Sequence, residues 1–183
     1  IDTLGFRPDL LIIKSATSSA NFNWVDSVRG ASNLLWSNAS AAQAEETTSV
    51  TGFRDAGFSV GSDSGSYVNI SSQTMITYGF KAGGAPTADN SESAGATPTA
   101  GSVKIDGANR SDAQPGNLVT KRASVSTTSG FSIIRYHGGD SNTTLGTGQT
   151  IPAGTNCFSI WRKLDPGNNW HVSYDFLNQR SSQ

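Results

Sequence analysis

The sequence is short of the residues that most often carry chemistry. One cysteine, Cys157, stands in 183 residues, so no disulfide can close within the chain and a cysteine-ligated zinc site lacks ligands. The two histidines, His137 and His171, belong to no HxxxH or HExxH pattern. Charged residues make up 15 % of the chain and the formal net charge is −1. That balance removes the electrostatic case for nucleic acid or for an anionic membrane surface. No run approaches 18 apolar residues, so membrane insertion through a helix is not expected. The chain opens on Ile1 with no leader motif, which leads to the expectation that it is the ordered part of a longer polypeptide.

Polarity comes instead from small hydrogen-bonding side chains: 27 Ser, 18 Thr and 13 Asn, beside 20 Gly. These residues rank low in helix propensity and are favoured in turns. With β-branched residues in short runs, the composition predicts an all-β chain of many short strands.

Along the chain, DLLIIK (9–14) is a continuous apolar run of strand length, fit for burial on both faces. A polar turn, ATSSANFN, leads to WVDSV, which alternates with period two, and ASNLLWSN continues as a strand. Residues 39–49 have the only helical or loop-like character. Two short strands led by Gly-Phe pairs follow, joined by the turn GSDSGS, and ITYGFKAG aligns Ile76, Tyr78 and Phe80 on one face. Residues 83–102 then contain no aromatic and no large aliphatic residue. Such a segment buries too little apolar surface to offset its ordering entropy and reads as a linker or strap. Apolar character returns strongly at GFSIIRYHGG (130–139). The expected organisation is a β-sandwich module over 1–82, a linker or strap over 83–129, and a second, partial β-rich unit over 130–183.

Residues 157–175, CFSIWRKLDPGNNWHVSYD, echo residues 9–30, DLLIIKSATSSANFNWVDSVRG. Each has an apolar run ending on a basic residue, a polar turn, a tryptophan and a second strand. Read as an internal repeat, this places Trp24 and Trp170 at equivalent positions and makes both packing anchors. Apolar–turn–Trp patterns also arise independently in β proteins.

The strings GFRPDLLIIK, NWVDSVRGA, GFSVGSDSGSYV and TYGFKAGGAPTADN, followed by PTAGSVKIDGANRSDA and TTSGFSIIRYHGGDSN, resemble a repeat module of large virion proteins of marine tailed phages. Residues 116–123 and 151–164 depart from that pattern. The resemblance implies a jelly-roll or laminin-G-like antiparallel β-sandwich and a structural role in a tail fibre or other particle appendage, with capsid decoration as a second location. It implies assembly by sandwich packing and strap exchange into a homo-oligomer, three-fold in a fibre, beside other virion proteins.

No enzymatic constellation emerges. GxSxG is missing, Glu45 and Glu46 read as a solvated loop, GTGQT (146–150) is too short to cradle phosphate, and no cofactor is expected. Asp63 and Asp140 sit in Gly-rich turns, where Asp bonds its own backbone. A calcium site built on Asp63 would lack the usual DxDxDG spacing. The rival reading is a lectin-like adhesin for host-surface glycan, with Trp36, Trp161, Asp63, Asp140 and Asn142 as contacts.

Overall fold

Whether an apolar alternation faces core or solvent is settled by register, and here register is given by a computed structural model. It describes residues 1–94, 97–139, 143–150, 152 and 155–174. Among the described residues the protein is all-β and sandwich-like, with 36 % in strands and bridges and no helix.

The main sheet is built from β1 (Leu10–Ser15), β2 (Asn23–Asp26), β3 (Asn33–Trp36), β4 (Ala44–Glu45) and β7 (Met75–Phe80). Its strand order is β4-β3-β2-β1-β7, antiparallel throughout. The ladder sets Leu11 beside Val25, Ile13 beside Asn23, and Asn23 beside Trp36. With side chains alternating at period two, Leu11, Ile13, Val25, Leu34 and Trp36 share one face. A hairpin of β5 (Val50–Arg54) and β6 (Gly57–Val60) covers that face, adding Val50 and Phe58, and Val68 closes the cluster. Burying each of these aliphatic or aromatic side chains contributes about 1.5–3 kcal/mol.

A second, four-stranded sheet has the order β11-β10-β8-β9, from β8 (Val103–Ile105), β9 (Ala108–Asn109), β10 (Thr120–Ser126) and β11 (Phe131–Tyr136). The β8–β10 pair is parallel and the others are antiparallel. Asp106 and Gly107, at φ of 49° and 88°, form the two-residue turn between β8 and β9. Asp-Gly is the pair that such a left-handed turn favours. Val103, Ala123 and Val125 make a small core, flanked by Ile105 and Ile134.

This arrangement corrects the organisation expected from the sequence. The presumed linker, 83–129, carries β8, β9 and β10, and the β10–β11 pairing crosses the boundary drawn at 129/130. The strap is fastened by polar bonds within its own chain, with Pro86 and Pro98 its buried apolar residues. The Asp9 carboxylate accepts from the N–H of Ala82 at 2.8 Å and of Gly84 at 3.2 Å. Buried Asn90 donates from Nδ2 to the Thr120 carbonyl at 2.8 Å and accepts the Thr99 N–H at 2.6 Å. At Gly83, a Cβ would stand 2.3 Å from the Val125 oxygen and 2.6 Å from the Lys104 oxygen, so only glycine lets the strap lie this close to the second sheet.

The third element is a hairpin of β12 (Phe158–Trp161) and β13 (His171–Tyr174), exposed along nearly its whole length. It echoes β1–β2 in shape but not in register. Trp24 sits within its ladder, opposite Ile12. The β12–β13 ladder ends at the Trp161–His171 pair, so Trp170 falls outside it. The two tryptophans are therefore not equivalent. They meet each other instead, with ring centroids 5.1 Å apart at 46°.

Candidate functional site

Each residue singled out in the sequence can now be placed. Trp36 is 8 % exposed, and its indole N–H donates to Asn23 Oδ1 at 2.8 Å. Its ring packs on Tyr67 at 5.6 Å. It is a core residue and cannot stack on a sugar, because it lies on the sheet face covered by β5–β6. Burial, with the charges of Glu46 and Asp63, holds the Tyr67 hydroxyl above the usual tyrosine range.

Asp63 is also buried. Its Oδ1 accepts from Ser49 Oγ at 2.5 Å, and its Oδ2 accepts the N–H groups of Val68 and Asn69, both at 2.7 Å. The carboxylate ties its own loop, in a left-handed conformation at φ 53° that aspartate tolerates. Three donors occupy it, which corrects its assignment as a glycan contact. Asp140 and Asn142 lie outside the described residues. Trp161 is 50 % exposed and stays open to a ligand or a partner.

The seam between the β12–β13 hairpin and the main sheet is held by several side-chain and backbone bonds. Arg162 Nη1 donates to the Ala39 carbonyl at 2.7 Å, and Nη2 donates to Ala41. The guanidinium lies 5.5 Å from the Trp170 ring centroid. Burial lowers the Arg162 pKa from its usual value. Trp170 Nε1 donates to the Trp36 carbonyl at 2.9 Å. Backbone bonds from Gln43 to Leu164 and from Gly167 to Ser40 complete the attachment. The sequence marks Trp24 and Trp170 as packing anchors at equivalent repeat positions; in the structure they pack on each other at this seam, and Arg162, read from the sequence only as the basic residue closing an apolar run, supplies its bonds to the 39–41 carbonyls.

Beside the seam is an open cleft of about 440 Å³, lined by Ser37, Asn38, Ala39, Ser40, Asn169 and Trp170. Asn38 is already engaged, accepting from the Phe22 N–H and donating to Asn21. Neither a carboxylate nor an imidazole lines this cleft. Elsewhere His137 Nδ1 stands 3.0 Å from the exposed Glu92 carboxylate as a surface pair. Among the described residues no group of three or more His, Cys, Asp or Glu side chains is placed to share a metal ion.

The outer face of the main sheet carries the largest surprise. Ile76, Tyr78 and Phe80 alternate as the sequence predicts, yet they point to solvent. The inward side of β7 is Met75, Thr77 and Gly79, and Leu4, Phe6 and Pro8 pack near Gly79. The β12–β13 hairpin repeats the pattern: Phe158, Ile160 and Val172 share one face and are all exposed, with Tyr174 against Phe158.

The fold and surface define a sandwich-like β module with apolar surface stripes and an open polar cleft. The chain belongs to a family of domains of unknown function, DUF7483, whose match covers residues 1–106. That match takes in the main sheet, the β5–β6 hairpin, the strap and β8. No curated protein and no solved structure matches the chain.

Proposed function

We propose that the chain is a non-catalytic structural module of a tailed-phage virion, in a tail fibre or another particle appendage, and that it works by assembling with copies of itself and other virion proteins. The observation that carries the reading is the pair of exposed apolar stripes on β7 and on β12–β13. Exposed apolar patches rimmed by polar residues mark association sites. The resemblance of the PDLLIIK, GSDSGSYV and TYGFKAGGAPTADN strings to phage virion repeats supplies the setting. With the strap fastened within its own chain, these stripes replace strap exchange as the means of assembly.

The test is mass spectrometry and antibody labelling of density-purified particles from the phage encoding this chain. The protein should be present at a fixed stoichiometry and labelled at an appendage; its absence from purified particles would refute the proposal.

One observation favours a lectin-like second reading. Trp161 is half exposed, and the nearby hairpin seam opens onto a cleft bearing Asn169, Ser40 and Trp170. Aromatic faces with amide and hydroxyl groups suit sugar rings. A glycan array probed with wild type and Trp161→Ala decides it: specific binding lost in the variant promotes the adhesin, and a blank array removes it.

A further inference from the structure

The two stripes differ in kind, and that difference says how copies would meet. The β12–β13 stripe lies on a two-stranded ribbon fastened to the main sheet through the 162–170 loop and its bonds to residues 36–43. A two-stranded ribbon is marginal in water unless an apolar face is covered. Phe158 is 66 %, Ile160 40 % and Val172 50 % exposed, so this face is uncovered.

The β7 stripe has the opposite character. It lies on the edge strand of a five-stranded sheet whose other face is already packed by β5–β6. Ile76 is 44 %, Tyr78 55 % and Phe80 42 % exposed. The outer layer is present over β2, where Trp170 packs on Trp24, and at the end of β7, where Phe131 packs on Phe80 at 5.6 Å, but it leaves Ile76 and Tyr78 about half exposed. One surface is a ribbon lacking a sheet, and the other is a sheet lacking part of its second layer.

We infer that the partner is a second copy of this chain and that the contact is head to tail: the β12–β13 ribbon of one copy packs on the outer face of β7 in the next. The inference rests on the assembly reading proposed above and specifies its surfaces. Taking about 150–200 Å² per large side chain, and with the three residues on each side about half exposed, the contact buries roughly 500 Å² of apolar surface in all. With a polar rim of similar size the contact reaches about 1,000 Å², the lower bound of a specific interface. No charged residue interrupts Ile76-Thr77-Tyr78-Gly79-Phe80 or Phe158-Ser159-Ile160-Trp161; Lys14, beside Ile76 on the same sheet face, turns its ammonium to the Ser15 and Ser18 carbonyls, so its charge is already partnered at the margin of the contact. Because the surfaces are different, the contact is heterologous. It closes into a ring, a trimer included, when the rotation between copies closes, and otherwise grows into a filament.

The experiment is sedimentation of the full chain over a concentration series, for wild type, Tyr78→Lys and Ile160→Lys, with circular dichroism confirming folding. Wild type should self-associate, and each variant alone should be monomeric, its association weakened by roughly 30-fold or more as for loss of a central interface residue. An equimolar mixture of the variants should form a one-to-one dimer and stop. Each variant keeps the surface the other has lost, so recovery on mixing also proves that both are folded. A wild type that remains monomeric overturns the inference, as does association that survives both substitutions. Loss in only one variant, with no recovery on mixing, overturns the head-to-tail arrangement in favour of a symmetric contact. None of these outcomes depends on where the protein resides in a particle, so failure here and failure of the virion reading are told apart.

Discussion

Replacing Asn23 with alanine should unfasten the core from within. Asn23 is fully buried on β2, and its amide links four segments. Nδ2 donates to the carbonyls of Tyr67 at 2.7 Å, Asn21 at 3.1 Å and Ile13 at 3.3 Å, while Oδ1 accepts the Trp36 indole N–H at 2.8 Å. Asn23→Ala takes this partner from the Trp36 indole and from the Tyr67 carbonyl, both beside the core. Leaving a buried polar group unsatisfied costs about 1–3 kcal/mol, so the pair costs about 2–5 kcal/mol. At about 2–4 °C per kcal/mol for a chain of this size, the melting temperature should fall by roughly 5–15 °C.

Urea unfolding followed by tryptophan fluorescence reads the loss, and a double-mutant cycle with Trp36→Phe assigns it. Trp36→Phe alone strands Asn23 Oδ1. The double variant removes donor and acceptor together, so its loss should fall short of the sum by about 1–2 kcal/mol. A cost for Asn23→Ala below about 0.5 kcal/mol, the range of surface substitutions, would refute the reasoning. Additive losses would show that the indole and the amide do not meet, and would return Trp36 to the list of exposed aromatics.

Asp89 makes a pH prediction. Burial pushes its carboxyl up, but the hydrogen bonds and charges of Arg122 and Lys121 outweigh that and hold it below the usual aspartate range. A depressed folded pKa adds stability above the unfolded value, near about 3.9, that is lost as pH falls through the folded value. Urea midpoints of wild type should drop through that acid window more than those of Asp89→Asn, and salt should shrink the gap because the pair is part-exposed. Gly83→Ala should cost about 1–3 kcal/mol in a thermal melt, since the new methyl meets backbone atoms of β8 and β10; an unchanged melt would mean the strap is not seated there. Arg162→Ala should raise amide exchange across 158–174 about tenfold or more by removing charge-assisted bonds to the 39–41 carbonyls, with β1–β3 unchanged. Uniform protection in that variant would show the hairpin is held by other means.

What the sequence disclosed followed from local physics. The Ser, Thr, Asn and Gly content forecast strands over helices, and DLLIIK, NWVD, GFSV and ITYGF fall within or across strands β1, β2, β6 and β7. Long-range pairing was not legible. The apolar-poor strap read as unstructured because its order rests on Asp9, 73 residues from Ala82, and on Asn90, 30 residues from Thr120. One available signal went unused: the Asp-Gly of KIDGAN is the two-residue hairpin turn between β8 and β9. Ile76, Tyr78 and Phe80 could not be assigned inside or outside from period two alone, since only the register with β1 decides it.

The same inversion runs through the whole molecule and bears on function. Asp63, offered by the sequence as a ligand contact, is spent internally, and so are Asp9, Asn23 and Asn90: all four are buried, and each bonds backbone far along the chain or around its own loop. Ile76, Tyr78 and Phe80, which the sequence aligns on one face of β7, are about half exposed, as are Phe158, Ile160 and Val172 on β12–β13. A chain with few large side chains that still places Tyr78, Phe158 and Ile160 outside gives up core burial it could have used, at about 25 cal/mol per Å². Neither strand needs these residues to satisfy its ladder, because β1–β7 and β12–β13 pair through backbone. Under the assembly reading proposed above, these side chains are surface that is buried when another copy of the chain arrives, which is what the sedimentation of Tyr78→Lys and Ile160→Lys measures.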